Sequence, residues 1–137
     1  MGEVRAKVKL INALDEMLAR RGQLAFGQVR VYEADALVDT GAVRSIIPAQ
    51  VVQQLGLALR GQRVAEYADG RRDIVGVTEP LIIEWHGRDT LEEALVLGDE
   101  VLLGQTVLEK LDLVADYVNQ QLVPNPAHPD QPVSKVK

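Results

Sequence analysis

One aspartate of this chain directly follows an apolar run. The order is Ala36-Leu37-Val38-Asp39-Thr40-Gly41-Ala42, and the Asp-Thr-Gly tripeptide occurs once. Burying a carboxylate without partners costs free energy, so ordinary cores rarely end a buried strand in this way. The segment therefore indicates carboxylate chemistry. The competing interpretation is that Asp39 caps a turn, because Asp, Thr and Gly are common turn residues.

The composition limits the kind of protein that carries this aspartate. The 137 residues, 47% hydrophobic and 26% charged, predict one compact soluble domain. A formal net charge of -5 without any block of Lys or Arg argues against nucleic acid or an anionic membrane as a partner. The chain lacks cysteine, which excludes disulfides, thiolate nucleophiles and thiolate metal sites and fits a reducing compartment.

The sequence also bears on targeting and on cofactors. Charges recur every two or three residues at the start of the chain, which argues against a secretory signal and a membrane span, so we expect a cytoplasmic protein. His86 and His128 are isolated from one another, and no cysteine accompanies them. Because this pattern offers no ligand spacing, we expect no metal and no cofactor.

Strands dominate the first part of the chain. Apolar residues alternate from Val4 to Leu10, which predicts a half-buried strand, and a second strand is predicted to end at Val38. Residues 12–22 carry apolar side chains at helical spacing and could form a short helix or a long hairpin arm. Pro48 is expected in the first turn of a short helix that Gly56 ends.

Two hairpins are predicted in the centre of the chain. The first runs from residue 62 to residue 85, with a turn at Asp69-Gly70-Arg71-Arg72 and one strand over residues 74–85. The second turns at His86-Gly87-Arg88-Asp89 and joins residues 81–83 to residues 94–97.

A strand, glycine and helix order occurs twice. Val101-Leu102-Leu103 leads into Gly104 and then into apolar residues at helical spacing, as the segment around Asp39 leads into the helix at Pro48. Prolines recur after Val123 and disfavour regular strand pairing. We therefore predict a single domain at residues 1–123 and a Pro-rich extended tail at residues 124–137.

With these features the chain resembles the retroviral-type, or retropepsin-like, aspartic proteases, the small single-domain relatives of the pepsin family that also occur in cellular genomes. The resemblance rests on the segment 36–42, on the Asp69-Gly70 hairpin where the family has its flap, and on Leu102-Leu103-Gly104 followed by a helix. It covers roughly residues 27–123. It implies a mainly β, closed barrel-like acid protease fold with one or two short helices.

The chemistry of that family needs two carboxylates. One ionised group takes a proton from water while one protonated group polarises the scissile carbonyl, so the pair shares a single proton. This chain has one such motif, because Asp69 precedes Gly70 directly and Asp89-Thr90 is followed by Leu91. The resemblance therefore implies a homodimer in which Asp39 meets Asp39 of a second copy, and activity that requires this dimer.

The resemblance also assigns roles to neighbouring residues. Asp39 is the catalytic residue, and Thr40 is expected to hydrogen-bond to the opposite loop. Residues implied to support the active-site loop are Thr40, Gly41, Ala42, Leu103 and Gly104. Residues implied to form a flap that binds substrate are Tyr67, Ala68, Asp69, Gly70 and Arg71.

The sequence departs from the viral pattern at two positions near the motif. Viral enzymes place an acid after the DTGA motif and an arginine after the second glycine, whereas this chain has Val43 and Gln105. Among the terminal segments, only Leu113 to Val123 could supply strands to a dimer interface. The expected function is a homodimeric aspartic endopeptidase acting on a peptide or protein. The alternatives are a non-catalytic dimeric peptide-binding or scaffold module and a monomeric β domain with an incidental motif.

Overall fold

A computed structural model of the chain describes residues 2–136. Within these residues the chain forms eleven β-strands, three α-helices and a 3₁₀ turn at Phe26–Gln28. The helices are α1 (Ala13–Arg20), α2 (Ala49–Leu55) and α3 (Gln105–Leu111). The strands are β1 (Val4–Asn12), β2 (Val31–Val38), β3 (Ile46–Ile47), β4 (Leu59–Glu66), β5 (Arg72–Thr78), β6 (Leu81–Trp85), β7 (Arg88–Glu92), β8 (Leu95–Val96), β9 (Leu102–Leu103), β10 (Leu113–Asp116) and β11 (Gln121–Pro124).

Nine of the strands described in residues 2–136 form one curled, half-barrel sheet in the order β4-β5-β8-β3-β9-β2-β1-β6-β7. Strands β10 and β11 form a separate two-stranded sheet. The predicted mainly β, barrel-like fold of the retropepsin type is confirmed. The described residues contain three short α-helices rather than one or two, because residues 13–20 form the helix α1 and not a hairpin arm.

The long antiparallel pair of β1 and β2 is the centre of the core. Val4 pairs with Val38, and Leu10 pairs with Tyr32 at the other end of the ladder. Alternate residues of β1 are buried, as its period of two predicts. Their side chains pack with α2 and α3, whose buried faces include Leu55 and Leu108. The core therefore fixes the position of the carboxyl end of β2.

The helix boundaries follow from local hydrogen bonding. The Asn12 side chain accepts from the Asp15 backbone N–H at 3.0 Å and caps α1, while its amide group donates to the Leu55 carbonyl at 2.7 Å. Gly56, with φ of 64°, ends α2 in the left-handed conformation, as predicted. Pro48 precedes the first helical residue of α2 rather than lying in its first turn.

The predicted continuous strand over residues 74–85 is wrong. Strand β5 ends at Thr78, and β6 begins at Leu81 after Glu79-Pro80. Pro80 has no backbone N–H to donate, so it favours a break between two strands that have different partners. Strand β5 pairs with β4 and β8, whereas β6 pairs with β1 and β7.

The pairing predicted for the second hairpin is also wrong. Its turn has only two central residues, His86 and Gly87, with φ of 46° and 86°. The chain can therefore return at once, and β7 pairs with β6 from Trp85 opposite Arg88. The segment that was expected to pair with residues 81–83 contains β8, which pairs with β5 and β3 instead.

After β11 the chain turns back toward the end of α3. The Asn125 N–H donates to the Asp112 carbonyl at 3.0 Å, and the Val133 N–H donates to Asp112 Oδ2 at 3.0 Å. Arg88 donates to the carbonyls of Leu111 and Asp112 at 2.9 and 3.0 Å. The division into a domain at 1–123 and a tail at 124–137 stays a prediction, and its outer limits, Met1 and Lys137, lie outside the described residues.

No helix in residues 2–136 is both long enough and apolar enough to cross a membrane.

Candidate active site

Asp39 stands at the point where β2 leaves the sheet. Strand β9 runs parallel to the end of β2, with Val38 beside Leu103. The Asp39 N–H donates to the Leu103 carbonyl at 3.0 Å, and the Leu37 N–H donates to the Val101 carbonyl at 2.9 Å. The apolar segments 36–38 and 101–103 therefore lie side by side.

The backbone directly after Asp39 turns back toward the carboxylate. The Gly41 N–H donates to Asp39 Oδ1 at 2.9 Å, and the Ala42 N–H donates to the Asp39 carbonyl at 3.2 Å. A Cβ on Gly41 would lie 3.2 Å from Asp39 Oδ1, which is a crowded distance. Glycine therefore gives the turn room to place an N–H on a half-buried carboxylate.

The Asp39 carboxylate has few partners. Among residues 2–136, the N–H of Gly41 is its one hydrogen-bond donor, and no Lys, Arg or His forms an ion pair with it. Arg44, close by in the sequence, donates instead to the Glu93 carbonyl at 3.0 Å. The carboxylate thus keeps lone pairs free for a water, a substrate or a second carboxyl group.

Gly104, which lies between β9 and α3, packs closely against residues 43–45. Its N–H donates to Ser45 Oγ at 3.1 Å. A Cβ at this position would lie 2.7 Å from the carbonyl carbon and oxygen of Arg44 and 2.8 Å from the carbonyl oxygen of Val43. Since these neighbours are backbone atoms, they could not move aside without shifting the loop. Sequence reasoning placed Gly104 in a supporting role but missed Ser45, whose only sequence signal was its position before an apolar strand.

The first turn of α3 also supports the loop of Asp39. The Gln105 N–H donates to the Ala42 carbonyl at 2.7 Å, and the Thr106 N–H donates to the Val43 carbonyl at 3.2 Å. These are backbone donors that a helix N-terminus leaves without intrahelical partners. The structure therefore brings Ala42, Leu103 and Gly104 together beside Asp39, whereas it uses the backbone of Gln105 and not its side chain.

Thr40 has a partner that the sequence did not indicate. Its Oγ1 lies 3.2 Å from the hydroxyl oxygen of Tyr117, which is in the turn between β10 and β11. The two residues are separated by 77 positions. No local pattern could have found this contact, because it depends on how the β10–β11 sheet packs on the larger one.

The predicted flap residues form the tip of the β4–β5 hairpin, which we call the flap hairpin. The Tyr67 N–H donates to the Arg71 carbonyl at 2.8 Å, and Gly70 adopts a φ of 88°. Asp69 accepts from the Arg71 N–H at 2.9 Å and from its Nε at 2.7 Å. The Arg71 guanidinium lies 4.8 Å from the centre of the Tyr67 ring. The tip is therefore held by its own side chains.

The backbone and side chain of Arg71 lower the pKa of Asp69, so that its carboxylate stays ionised and keeps the turn closed. The tip residues 67–71, including the exposed Ala68, make no hydrogen bond to residues 39–42 in the described part of the chain. The structure thus places the predicted flap residues on one hairpin but does not join them to the loop of Asp39.

A small apolar cluster lies under the flap hairpin. Val75 and Val77 of β5 pack with Leu95, and the partly buried Ile46 lies against the same cluster. Ile46 opens the strand that follows the loop of Asp39. The apolar cluster of the flap hairpin therefore includes the first residue of the strand that follows the Asp39 loop.

The described residues contain no group of three or more His, Cys, Asp or Glu side chains arranged to hold a metal ion. His86 lies beside Trp85, with 4.3 Å between the ring centres, and His128 Nδ1 lies 2.7 Å from Asp112 Oδ2.

Comparisons with solved structures find the same fold in three related groups. The EIAV protease complexed with the inhibitor HBY-793 superposes with a TM-score of 0.58 at 21% identity, over 80% of this chain and 88% of that one. The retroviral protease-like domain of Ddi1 from Leishmania major gives a TM-score of 0.56 at 16% identity, over 92% and 90%. A retropepsin-like aspartic protease from Rickettsia conorii gives a TM-score of 0.52 at 17% identity, over 84% and 77%.

The sequence itself matches one family model. No curated protein sequence matches the chain. The model of the gag-polyprotein putative aspartyl protease family matches residues 25–110, which include Asp39, the flap hairpin and Gly104. The chain therefore belongs to the gag-polyprotein aspartyl protease family and has the retropepsin-like fold.

Proposed function

We propose that the protein is a homodimeric aspartic endopeptidase that hydrolyses peptide bonds with a water activated between two Asp39 carboxylates, one from each subunit. The proposal rests on the hydrogen-bond partners of the Asp39 carboxylate. Its carboxylate is fixed by the Gly41 N–H, supported by Gly104 and α3, and left without a cation or further donor in residues 2–136. A carboxylate held so firmly with free lone pairs suits proton transfer.

The proposed reaction needs the two carboxyl groups in different protonation states. The ionised Asp39 takes a proton from the attacking water, and the protonated Asp39 of the second copy donates to the oxygen of the scissile carbonyl. Like charges in close contact disfavour double ionisation, so one proton is shared between the two groups. Each chain supplies one carboxylate of this kind, and the site is complete only in the dimer.

We propose that the substrate is an extended peptide held between the flap hairpin and the loop of Asp39. A strand-like peptide can hydrogen-bond to an unpaired backbone edge while its alternate side chains enter pockets. In the described residues β4 is an edge of the large sheet, and the apolar cluster of Val75, Val77 and Leu95 lines the inner side of the flap hairpin. Apolar side chains of the substrate are expected to contact this cluster.

The absence of cysteine fits the reducing cytoplasm, where we propose that the protein acts.

A second candidate function is a non-catalytic dimeric module that binds peptides through the same fold. The position of Val43 favours it, because this apolar side chain next to the Asp39 loop is 69% exposed. An exposed apolar side chain can contact an apolar group of a bound peptide without taking part in any reaction. The two candidates make the same prediction for peptide binding and opposite predictions for cleavage.

The first prediction separates them through Asp39→Asn. This change removes the ionisable group at nearly constant volume, and peptide cleavage at mildly acidic pH is expected to fall by about 10³–10⁴-fold. The matched control is Asp35→Asn, which changes an exposed carboxylate on β2. Cleavage of a peptide library, circular dichroism and sedimentation should be measured for both variants.

We expect Asp39→Asn to keep its fold and its oligomeric state, and Asp35→Asn to cleave peptides at the parental rate. Equal cleavage by Asp39→Asn and the parent would contradict the proposed role of Asp39. A parent protein that binds peptides as a dimer without cleaving them would support the binding module instead.

A further inference from the structure

The large sheet has a second edge at β7. In residues 2–136 its strand order ends at β4 on one side and at β7 on the other. A two-residue turn precedes β7, so the pair that closes it, Trp85 and Arg88, is hydrogen-bonded, and such pairs alternate along an antiparallel ladder. The backbone N–H and C=O groups of Asp89 and Leu91 therefore point away from β6, toward the open edge.

Most of these outward backbone groups have no partner. The Leu91 carbonyl accepts from Lys110 Nζ at 3.0 Å. The N–H and C=O of Asp89 and the N–H of Leu91 form no hydrogen bond to another segment in residues 2–136. Proteins usually cover or charge the edge of a sheet, because an unpaired edge accepts a further strand. Here Lys110 protects one end of β7, and the rest of the edge can accept a strand.

An apolar groove lies between helix α1 and β7 on one face of the sheet. Its volume is about 320 Å³. Ala13 and Ile82 are its buried lining residues, while Met17 and Leu91 are 49% and 52% exposed. Leu91 lies directly opposite Ile82 in the ladder, so the two side chains share a face. The groove therefore adjoins the open edge and leaves two large apolar side chains uncovered.

Two acids face each other across the same ladder. Glu84 of β6 lies directly opposite Asp89 of β7, and like charges in this arrangement destabilise a sheet. Lys9 Nζ lies 4.0 Å from Glu84 Oε1, whereas the exposed Asp89 forms no ion pair in the described part of the chain. At the rim of the groove, Arg20 pairs with Glu16 at 3.1 Å. A cation brought to Asp89 from outside would thus relieve the repulsion.

An extended peptide strand fits all of these features. A strand that adds to β7 can hydrogen-bond to the open backbone groups of Asp89 and Leu91. Its side chains next to these two residues lie on the groove face and are two positions apart in the peptide. The position beside Leu91 suits a large apolar side chain, which covers Leu91 and Met17. The position beside Asp89 suits Lys or Arg.

We propose that the groove between α1 and β7, which we call the β7 groove, binds an extended segment of another protein in which a Lys or Arg stands two positions from a large apolar residue. The segment adds to β7 as a further strand of the large sheet. The residues that line the β7 groove belong to α1, β6 and β7, and none of them belongs to the loop of Asp39 or to the flap hairpin. The β7 groove is therefore a second peptide site, separate from the proposed active site.

The probe for this site is a fluorescein-labelled peptide of the sequence Thr-Lys-Thr-Leu-Thr-Lys-Thr-Leu, which carries Lys and Leu alternately on one face. The control peptide has Glu in place of each Lys. Fluorescence anisotropy at pH 7 gives the dissociation constants, with the full chain carrying Asp39→Asn so that the probe is not cleaved. The Glu peptide is expected to bind at least about tenfold more weakly, because it puts like charges beside Asp89.

Two variants, each made in the Asp39→Asn background, test the groove residues. Asp89→Asn removes the charge and should weaken binding of the Lys probe by about fivefold, whereas Asp99→Asn, an equal charge change at an exposed position outside the groove, should not. Met17→Lys should weaken binding by about tenfold, because it repels the probe and removes an apolar contact. Its matched control is Leu14→Lys, since Leu14 is 52% exposed on the same helix and does not line the groove. Circular dichroism checks the fold of each variant.

Amide hydrogen exchange followed by NMR tests strand addition itself. At a saturating concentration of the Lys probe, the N–H groups of Asp89 and Leu91 are expected to exchange at least about tenfold more slowly. Thr90 is an internal control, because the alternation directs its N–H toward β6 and leaves it bonded without the probe. Its exchange should change less than that of its two neighbours.

The possible outcomes decide between occupants. Selective binding of the Lys probe, weakened by Asp89→Asn and Met17→Lys and accompanied by protection of Asp89 and Leu91, supports the proposal. It is overturned if the Lys probe does not bind, if Met17→Lys binds as tightly as Leu14→Lys, or if protection appears along β4 instead. Protection of Asp89 and Leu91 that rises with protein concentration in the absence of peptide would show that a second copy occupies the edge, which also overturns the proposed partner.

Discussion

Asp39 and Asp112 each directly follow the end of a regular secondary-structure element, but their carboxylates differ in the number of hydrogen-bond partners. Asp112 follows α3, and its carboxylate accepts from Asn125 Nδ2 at 3.0 Å and from the Val133 N–H at 3.0 Å, while His128 Nδ1 lies 2.7 Å away. Asp39 follows β2, and in residues 2–136 its carboxylate accepts only from Gly41. The Asp112 carboxylate therefore has three hydrogen-bond partners, whereas the Asp39 carboxylate has one.

The hydrogen-bond partners of the Asp112 carboxylate keep it ionised and hold the end of the chain in place. The Val133 N–H, the Asn125 amide and His128 together lower the pKa of the Asp112 carboxyl, so it is ionised under ordinary conditions. Arg88 donates to the carbonyls at the end of α3 and lies 3.4 Å from the His128 carbonyl. These groups, which we call the tail clamp, hold residues 125–133 against the end of α3. Asp112 is therefore a structural carboxylate.

Around Asp39, most hydrogen bonds involve the backbone rather than the carboxylate. The backbone on both sides is fixed by Leu103, Gly104 and the first turn of α3, whereas the carboxylate accepts a single hydrogen bond, from the Gly41 N–H, in residues 2–136. Rigid placement of a reacting group lowers the cost of reaching the transition state. Hydrogen bonds around Asp39 therefore fix the backbone of its loop, whereas hydrogen bonds in the tail clamp stabilise the ionised carboxylate of Asp112.

The largest loss of stability and activity is expected from Gly104→Ala, which should displace the Asp39 loop and leave the tail clamp unchanged. A Cβ there would lie 2.7 Å from Arg44 backbone atoms, and overpacking of this kind costs about 3 kcal/mol in the free energy of unfolding. Displacement of the loop should lower peptide cleavage by about 10²-fold. Chemical denaturation and cleavage assays measure the two effects.

The matched control for this change is Gly27→Ala, because a Cβ on Gly27 meets no atom within 4 Å. Its stability is expected to stay within about 0.5 kcal/mol of the parent. If Gly104→Ala were as stable and as active as Gly27→Ala, the close contact between the two loops would not exist in solution.

A smaller, pH-dependent effect is expected from Asp112→Asn, which should damage the tail clamp and spare catalysis. The pKa of Asp112 is lower in the folded state than its unfolded value of about 3.9, so its ionised form stabilises the fold above that pH. This stabilisation is lost as pH falls through the folded pKa. The variant should therefore melt at a lower temperature than the parent at pH 7, and the difference should shrink toward strongly acidic pH.

Asp130→Asn is the matched control, because Asp130 is an exposed carboxylate in the same tail. It should melt like the parent across the pH range. A stability difference between Asp112→Asn and the parent that grew on acidification would show that the sign of the linkage is wrong. Cleavage at pH 5–6 should be retained in both variants as long as they are folded.

Strong local patterns predicted most of the fold. The alternation from Val4 to Leu10 located β1, and Gly56 located the end of α2, because each depends on residues close in sequence. The family model and the structures confirm the retropepsin-like fold that the motif at Asp39 indicated. The Asn12 cap of α1 was also present in the sequence, but a single cap did not decide between a helix and a hairpin arm.

Pairings between distant segments could not be predicted. The partner of β8 is set by how the sheet curls, and the break at Glu79-Pro80 marks where the chain changes partners. The contact of Thr40 with Tyr117 and the tail clamp likewise depend on tertiary packing. In the site, the sequence identified Asp39 to Ala42 and Gly104, whereas the contacts of Ser45 with Gly104 and of Tyr117 with Thr40 join segments distant in sequence and could not be predicted.

The central claim is that one active site uses Asp39 from two chains, and subunit mixing tests it most directly. The parent and Asp39→Asn are mixed in equal amounts at fixed total concentration, and the subunits are allowed to exchange. If each site needs both carboxylates, only dimers of two parental chains are active, and cleavage should fall to about one quarter of that of the pure parent. Cleavage at about one half would show that each chain acts alone and would contradict the account.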